Sequence, residues 1–207
     1  MGYISIFLVS FAIAFSGALA PGPLLAAVIS GSLKSGFRAG PLLIAGHALL
    51  EIVMVALLVL GLGRFINTPP VIKAISLAGA AILVYFGIGL LRRLPSISLD
   101  FSAGSAGRDA GFFLQGITLS LANPYWAVWW LTIGLGLLLS AGRLGLPGLL
   151  FFFTGHILAD LAWYSFVSFS LSRGRRFVSL KVYRSILAAC AAVVISFGLY
   201  FGFKAFL

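Results

Sequence analysis

Two stretches of this chain carry side chains able to do chemistry in an apolar setting. Gly46-His47-Ala48-Leu49-Leu50-Glu51 and Gly155-His156-Ile157-Leu158-Ala159-Asp160 both read Gly-His-x-x-x-acid. The chain has 2 His and 4 acidic residues, and both His and half of the acids fall in these stretches. Residues four apart share one helix face, so each imidazole can meet its carboxylate and share a proton or a hydrogen bond with it. Both pairs sit near the middle of apolar runs, where an ionised side chain costs roughly 3 kcal/mol on insertion scales. Such groups face a bundle interior or a water-filled cavity. The plain alternative is that they are polar glue between helices. Recurrence of the pair in the same order, each time after a break in an apolar run, favours a site.

The breaks are Pro21-Gly22-Pro23 and Asn123-Pro124. Proline lacks a backbone N–H, so the carbonyls four residues earlier, on Gly17, Leu19 and Ser120, lose their helical partners. At membrane depth, freed backbone groups are tolerated only where protein or a cavity meets them. Exposed helix N-termini attract anions and freed carbonyls attract cations. A zwitterion needs both in one small space. An α-amino acid fits, with its carboxylate at exposed N–H groups and its ammonium at carbonyls, Glu51 or Asp160. Gly22 allows close approach to the backbone. The candidate substrate contacts are therefore Pro21, Gly22, Pro23, Ser120, Asn123, Pro124 and Trp126. Gln115 and Thr118 add polar groups nearby. The candidate proton-coupling residues are His47, Glu51, His156 and Asp160. For Trp129, Trp130 and Trp163, anchoring at the interface or packing against lipid is the expected role.

These groups must be positioned by membrane spans. Mean hydropathy is +1.16, hydrophobic residues make up 61% and charged residues 9%. That balance excludes a soluble domain. A span takes about 20 residues, so 207 residues accommodate six spans and no soluble domain. The spacing predicts them near 3–29, 39–62, 71–91, 111–139, 145–171 and 185–206, with turns at 64–70 and 140–144. The Ser- and Gly-rich segment 94–110 reads as a linker between halves 1–93 and 111–207. Ala18-Leu19-Ala20 resembles a signal-peptidase site, but no Lys or Arg precedes it and Pro21 follows it, so a retained first span is expected.

Net charge is +10, yet the basic residues lie almost wholly between apolar runs. That is topology signalling and lipid-headgroup contact, with no nucleic-acid surface. Loops after spans one, three and five hold Lys34, Arg38, Arg92, Arg93, Arg108 and the basic cluster from Arg173 to Arg184. The other side holds Arg64, Lys73, Arg143 and Lys204. The positive-inside rule then places both termini outside the cytoplasm. Cys190 is the single cysteine and excludes an intrachain disulfide. Three spans per half is an odd number, so the halves must lie inverted in the membrane. Broken helices at matching positions of inverted repeats mark a transporter.

Ala20-Pro21-Gly22-Pro23, the basic loop with Gly36-Phe37-Arg38-Ala39-Gly40, Gly46-His47, and Ala122-Asn123-Pro124-Tyr125-Trp126 together resemble the LysE-type translocator family, over essentially the whole chain. The resemblance implies a six-span core and export of amino acids or related metabolites across the cytoplasmic (inner) membrane, driven by an ion gradient. Members of that family export amino acids such as lysine, arginine, threonine and homoserine. The second pair, His156 and Asp160, comes from the internal repeat and not from the family motif.

The expected protein is thus an all-α integral membrane protein of six transmembrane helices, arranged as two inverted three-helix repeats with broken helices one and four. Its expected function is secondary export of amino acids, coupled to protons or another ion through the His/acid pairs. The expected partners are a small-molecule substrate, the coupling ion and the lipid bilayer, and the architecture admits a homodimer. No cofactor is implied. A divalent-metal exporter using the same His and carboxylate groups is the alternative. An intramembrane enzyme is disfavoured, because no Ser or Cys nucleophile sits in a recognisable motif. A purely structural subunit would tolerate apolar replacements at the paired positions.

Overall fold

The computed structural model describes residues 2–19, 22–61, 68–96, 108–174 and 179–206. Pro21, the Arg64–Asn67 turn, most of the inter-half linker and Arg175–Arg176 lie outside the described residues. Every regular element described is helical. In chain order they are α1 (Tyr3–Ala18), α2 (Pro23–Ser35), α3 (Ala39–Val59), α4 (Pro69–Arg93), a 3-10 turn (Leu94–Ser96), α5 (Arg108–Leu121), α6 (Pro124–Trp129), a π-helical turn (Trp130–Gly134), α7 (Leu135–Gly142), α8 (Gly145–Gly174) and α9 (Leu180–Lys204).

Five segments among the described residues are long and apolar enough to cross a membrane: Ala39–Val59, Pro69–Arg92, Tyr125–Gly142, Gly145–Gly174 and Leu180–Lys204. The bent pair α1 and α2 makes a sixth, with an 80° angle at its break. The chain is therefore an all-α, multi-pass membrane protein, and its helices break at the two places the prolines dictate. Pro23 starts α2 and Pro124 starts α6, both at the first helical turn, where a missing N–H leaves no bond unmade.

Some boundaries differ from expectation. Pro69 and Pro70 open α4 instead of closing a turn, because proline is favoured at a helix start. Arg108 and Asp109 begin α5 inside the stretch expected as linker, with Asp109 in the first turn where a carboxylate complements the helix dipole. Helix four is broken as expected, between Leu121 and Pro124, and beyond the break α6, the π turn and α7 run on as one apolar segment, Tyr125–Gly142.

Packing is organised by helix pairs. α1 lies along α8, α3 along α5, and α4 along α9, while α8 also meets α2, α3 and α7. Glycine sets the closest of these approaches. A methyl group on Gly46 would overlap the Phe113 carbonyl of α5, and one on Gly116 the Leu43 carbonyl of α3. Gly155 makes the matching approach on α8, against the Phe7 carbonyl of α1. Small residues let backbones touch in this way where lipid offers no hydrophobic drive to pack. The outer surface is covered with large apolar side chains, including Leu8, Leu60, Tyr85, Leu139, Leu146 and Phe166, as a lipid-facing surface requires.

Candidate functional site

Gly46 and Gly155 each precede the His of a Gly-His-x-x-x-acid stretch. By seating α3 on α5 and α8 on α1, they turn the next residue inward. All four titratable side chains are buried, Glu51 most deeply at 1% exposure. Their atoms form a closed ring in which imidazole and carboxylate alternate. Glu51 Oε1 lies 3.1 Å from Nε2 of His47 and 3.1 Å from Nε2 of His156. Asp160 Oδ2 lies 3.4 Å from His156 Nε2 and 3.8 Å from His47 Nε2. Each His therefore faces the acid of its own helix and the acid of the other.

Glu51 Oε1 gathers still more donors. Trp130 Nε1–H donates to it at 3.0 Å and Trp126 Nε1–H at 3.3 Å. Charge-assisted hydrogen bonds of this kind stabilise a buried carboxylate. Glu51 Oε2 and Asp160 Oδ2 are buried and accept no hydrogen bond, and His156 Nδ1 has no partner.

The proton on His47 is fixed by its neighbour. Ser120 Oγ donates its one hydrogen to the Gly116 carbonyl at 2.7 Å. It can therefore only accept from His47 Nδ1, which lies 2.7 Å away. With a hydrogen on Nδ1, a neutral His47 would turn a bare Nε2 toward two carboxylates. One further proton must lie between Nε2 and those acids for the contacts to be favourable.

The ring lines a cavity of about 620 Å³, including its open mouth. Gly22, Leu24 and Leu25 of the α2 start, and Asn123, Tyr125 and Trp126 of the α6 start, reach the same cavity. The two helix breaks and the two His/acid pairs thus converge on one space, with Ser120 in its wall. Pro23 is buried at the start of α2 but does not line the cavity. Gln115 and Thr118 do not line it either, and Thr118 Oγ1 donates back to the Leu114 carbonyl of its own helix.

Asn123 Oδ1 and Ser120 Oγ both have partners within the protein. Asn123 Oδ1 caps α6 by accepting from the Tyr125 N–H at 3.1 Å. Ser120 is held between Gly116 and His47. Both shape the site through other groups.

Trp129 and Trp130, expected at the lipid interface, are buried instead. Their rings flank His156 with centroids 4.9 Å and 5.1 Å away, and Trp129 Nε1–H donates to Ser16 Oγ at 3.2 Å. The reason is the break at Asn123-Pro124, which redirects the chain, followed at Trp130 by a π turn. Such turns are rare and cluster at functional sites. The four-residue spacing of Trp126 and Trp130 repeats the spacing of the His/acid pairs, and it was the available signal that both point one way. Tyr125, Tyr164 and Phe197 also line the cavity and carry no sequence signal of their own.

Helical spans around a cavity that holds a buried His/carboxylate ring, with two helix starts facing it, define a membrane transporter. The chain belongs to the LysE type translocator family, whose model matches residues 15–205. It is similar to a protein of Pseudomonas aeruginosa named chemotactic transduction protein ChpE, 29% identical over 93% of this chain and 95% of that one. It is also similar to a protein of Bacillus subtilis named putative amino acid efflux protein YcgF, 26% identical over 97% of this chain and 96% of that one. No solved structure matches the chain significantly.

Proposed function

We propose that this translocator exports amino acids or close derivatives across the cytoplasmic membrane, coupled to proton movement through His47, Glu51, His156 and Asp160. The observation that carries the reading is the convergence of both helix breaks and both His/acid pairs on one cavity. The name of the Bacillus subtilis relative supports amino acids as cargo and efflux as direction. Proton coupling is supported by the ring, in which His47 Nε2 needs a shared proton to sit beside Glu51 and Asp160.

The halves 1–93 and 111–207 are read as inverted repeats, with both termini outside the cytoplasm. The pairing of α1 with α8, α3 with α5, and α4 with α9 supports this, because it maps onto itself when the halves are exchanged. Alternating access then follows as rocking of one half against the other around a fixed site. The test is uptake of labelled amino acids by proteoliposomes holding the purified protein, with and without an imposed pH gradient. Gradient-stimulated uptake supports the reading, and no amino-acid flux under either condition defeats it.

One observation favours a second reading, export of a divalent metal. Ligand atoms of His47, Glu51 and Asp160 all lie within 4.8 Å of one another. Nitrogen and carboxylate oxygen suit zinc or manganese. Against it, two indole N–H groups donate to Glu51 Oε1 and draw charge from the carboxylate that a metal would need. Uptake of Zn²⁺ or Mn²⁺ without amino-acid flux would establish the second reading.

A further inference from the structure

Two helix starts open on the cavity, and they differ. At α6, Asn123 occupies the cap position and its own side chain satisfies the Tyr125 N–H. At α2, the cap position is Gly22, in extended backbone with φ −157° and ψ −177°, and no side chain caps it. α2 runs for 13 residues, long enough to place the positive end of a helix dipole at the cavity. Gly22, Leu24 and Leu25 bring that end to the cavity wall. An anionic group of a ligand therefore finds its partner at α2 and not at α6.

A second observation points to the other end of the ligand. Glu51 Oε2 is a buried acceptor that receives no hydrogen bond, whereas Asp160 Oδ2 already faces His156 and His47. Buried carboxylate oxygens without donors are rare in folded proteins, because each forfeits its hydration. An ammonium supplies three N–H donors and the opposite charge. The remaining wall is made of small or apolar groups such as Ala14, Ala18, Leu24, Leu25, Trp129 and Phe197. Among the described residues, no Lys or Arg lines the cavity. An acidic side chain would meet only His47 and His156, whose Nε2 atoms already face Glu51 and Asp160. A basic side chain would add a second cation beside His47 and His156, with both acids already engaged.

We propose that the cavity selects α-amino acids with uncharged, apolar side chains, the carboxylate seated at the uncapped start of α2 and the ammonium at the open oxygen of Glu51. This rests on the amino-acid reading above and narrows it.

The test is counterflow of labelled leucine in proteoliposomes containing the full chain, challenged with unlabelled competitors. Leucine, methionine and phenylalanine should compete on the order of tenfold better than lysine or glutamate, the equivalent of one charge-assisted hydrogen bond. Isopentylamine, which lacks the carboxylate, and 4-methylpentanoate, which lacks the ammonium, should both compete weakly. The variant Gly22→Asn supplies α2 with the cap that Asn123 gives α6, and should raise the leucine concentration needed for half-maximal counterflow by about tenfold. Lysine or glutamate competing as well as methionine would overturn the side-chain selection while leaving amino-acid export standing. Isopentylamine competing as well as leucine would overturn the carboxylate seat. Absence of counterflow with neutral, basic and acidic amino acids alike would overturn the export reading and this inference together.

Discussion

His156 on α8 places Nε2 3.1 Å from Oε1 of Glu51 on α3, across 105 positions of sequence. The two motifs are therefore one site, because the His of the second half serves the acid of the first. Hydrogen bonds to a charged acceptor contribute about 1.5–3 kcal/mol, which corresponds to roughly 10- to 150-fold in rate. Glu51→Gln should lower initial transport rates within that range while the protein still reaches the membrane. Rates in proteoliposomes normalised to reconstituted protein check this.

Ser120→Ala removes the acceptor for His47 Nδ1–H without touching either acid. The imidazole is then free to adopt its other tautomer, with its own hydrogen on Nε2, and no longer needs a shared proton to face the two acids. Exchange of amino acid in the absence of a gradient should persist, whereas stimulation by an imposed pH gradient should be largely lost. Comparing counterflow with gradient-driven uptake separates this outcome from misfolding, which would abolish both.

At the α3–α5 crossing, Gly46 and Gly116 have no room for a methyl group against opposing main chain. Overpacking of this kind typically destabilises by about 1–3 kcal/mol. Gly46→Ala and Gly116→Ala should both lower the melting temperature in detergent. Gly136, whose added methyl would meet open space, serves as the control and should leave it unchanged on replacement by Ala.

Trp130→Phe keeps an aromatic ring beside His156 but deletes the indole donor to Glu51. It should reduce transport by roughly tenfold, in line with one hydrogen bond to a charged group. Tyr85→Phe, on the exposed outer surface, should be neutral in the same assay.

How far the site could be read from sequence depends on the residue. His47, Glu51, His156 and Asp160 stood out because charge inside an apolar run is costly and needs a reason. Pro23 and Pro124 fixed where helices must restart, whatever the tertiary fold. The burial of Trp129 and Trp130 was not legible. In a soluble protein a hydrophobic stripe marks the inner face, but here lipid-facing residues such as Leu139 and Phe166 are as apolar as the core, so periodicity carries little information about facing. The π turn at Trp130–Gly134 depends on how the chain packs after the break and has no local composition signature. That Asn123 and Ser120 would be occupied by a cap and by His47 follows from distances that only folding sets.

The central claim is that the Glu51–His156–Asp160–His47 ring is the working site of a proton-coupled amino-acid exporter. Gradient-driven uptake of labelled leucine, measured for wild type and for the double variant Glu51→Gln/Asp160→Asn at equal reconstituted amounts, tests it most directly. Wild type should show pH-gradient-stimulated uptake, and the double variant none above protein-free liposomes. Stimulated uptake by the double variant at the wild-type rate would contradict it.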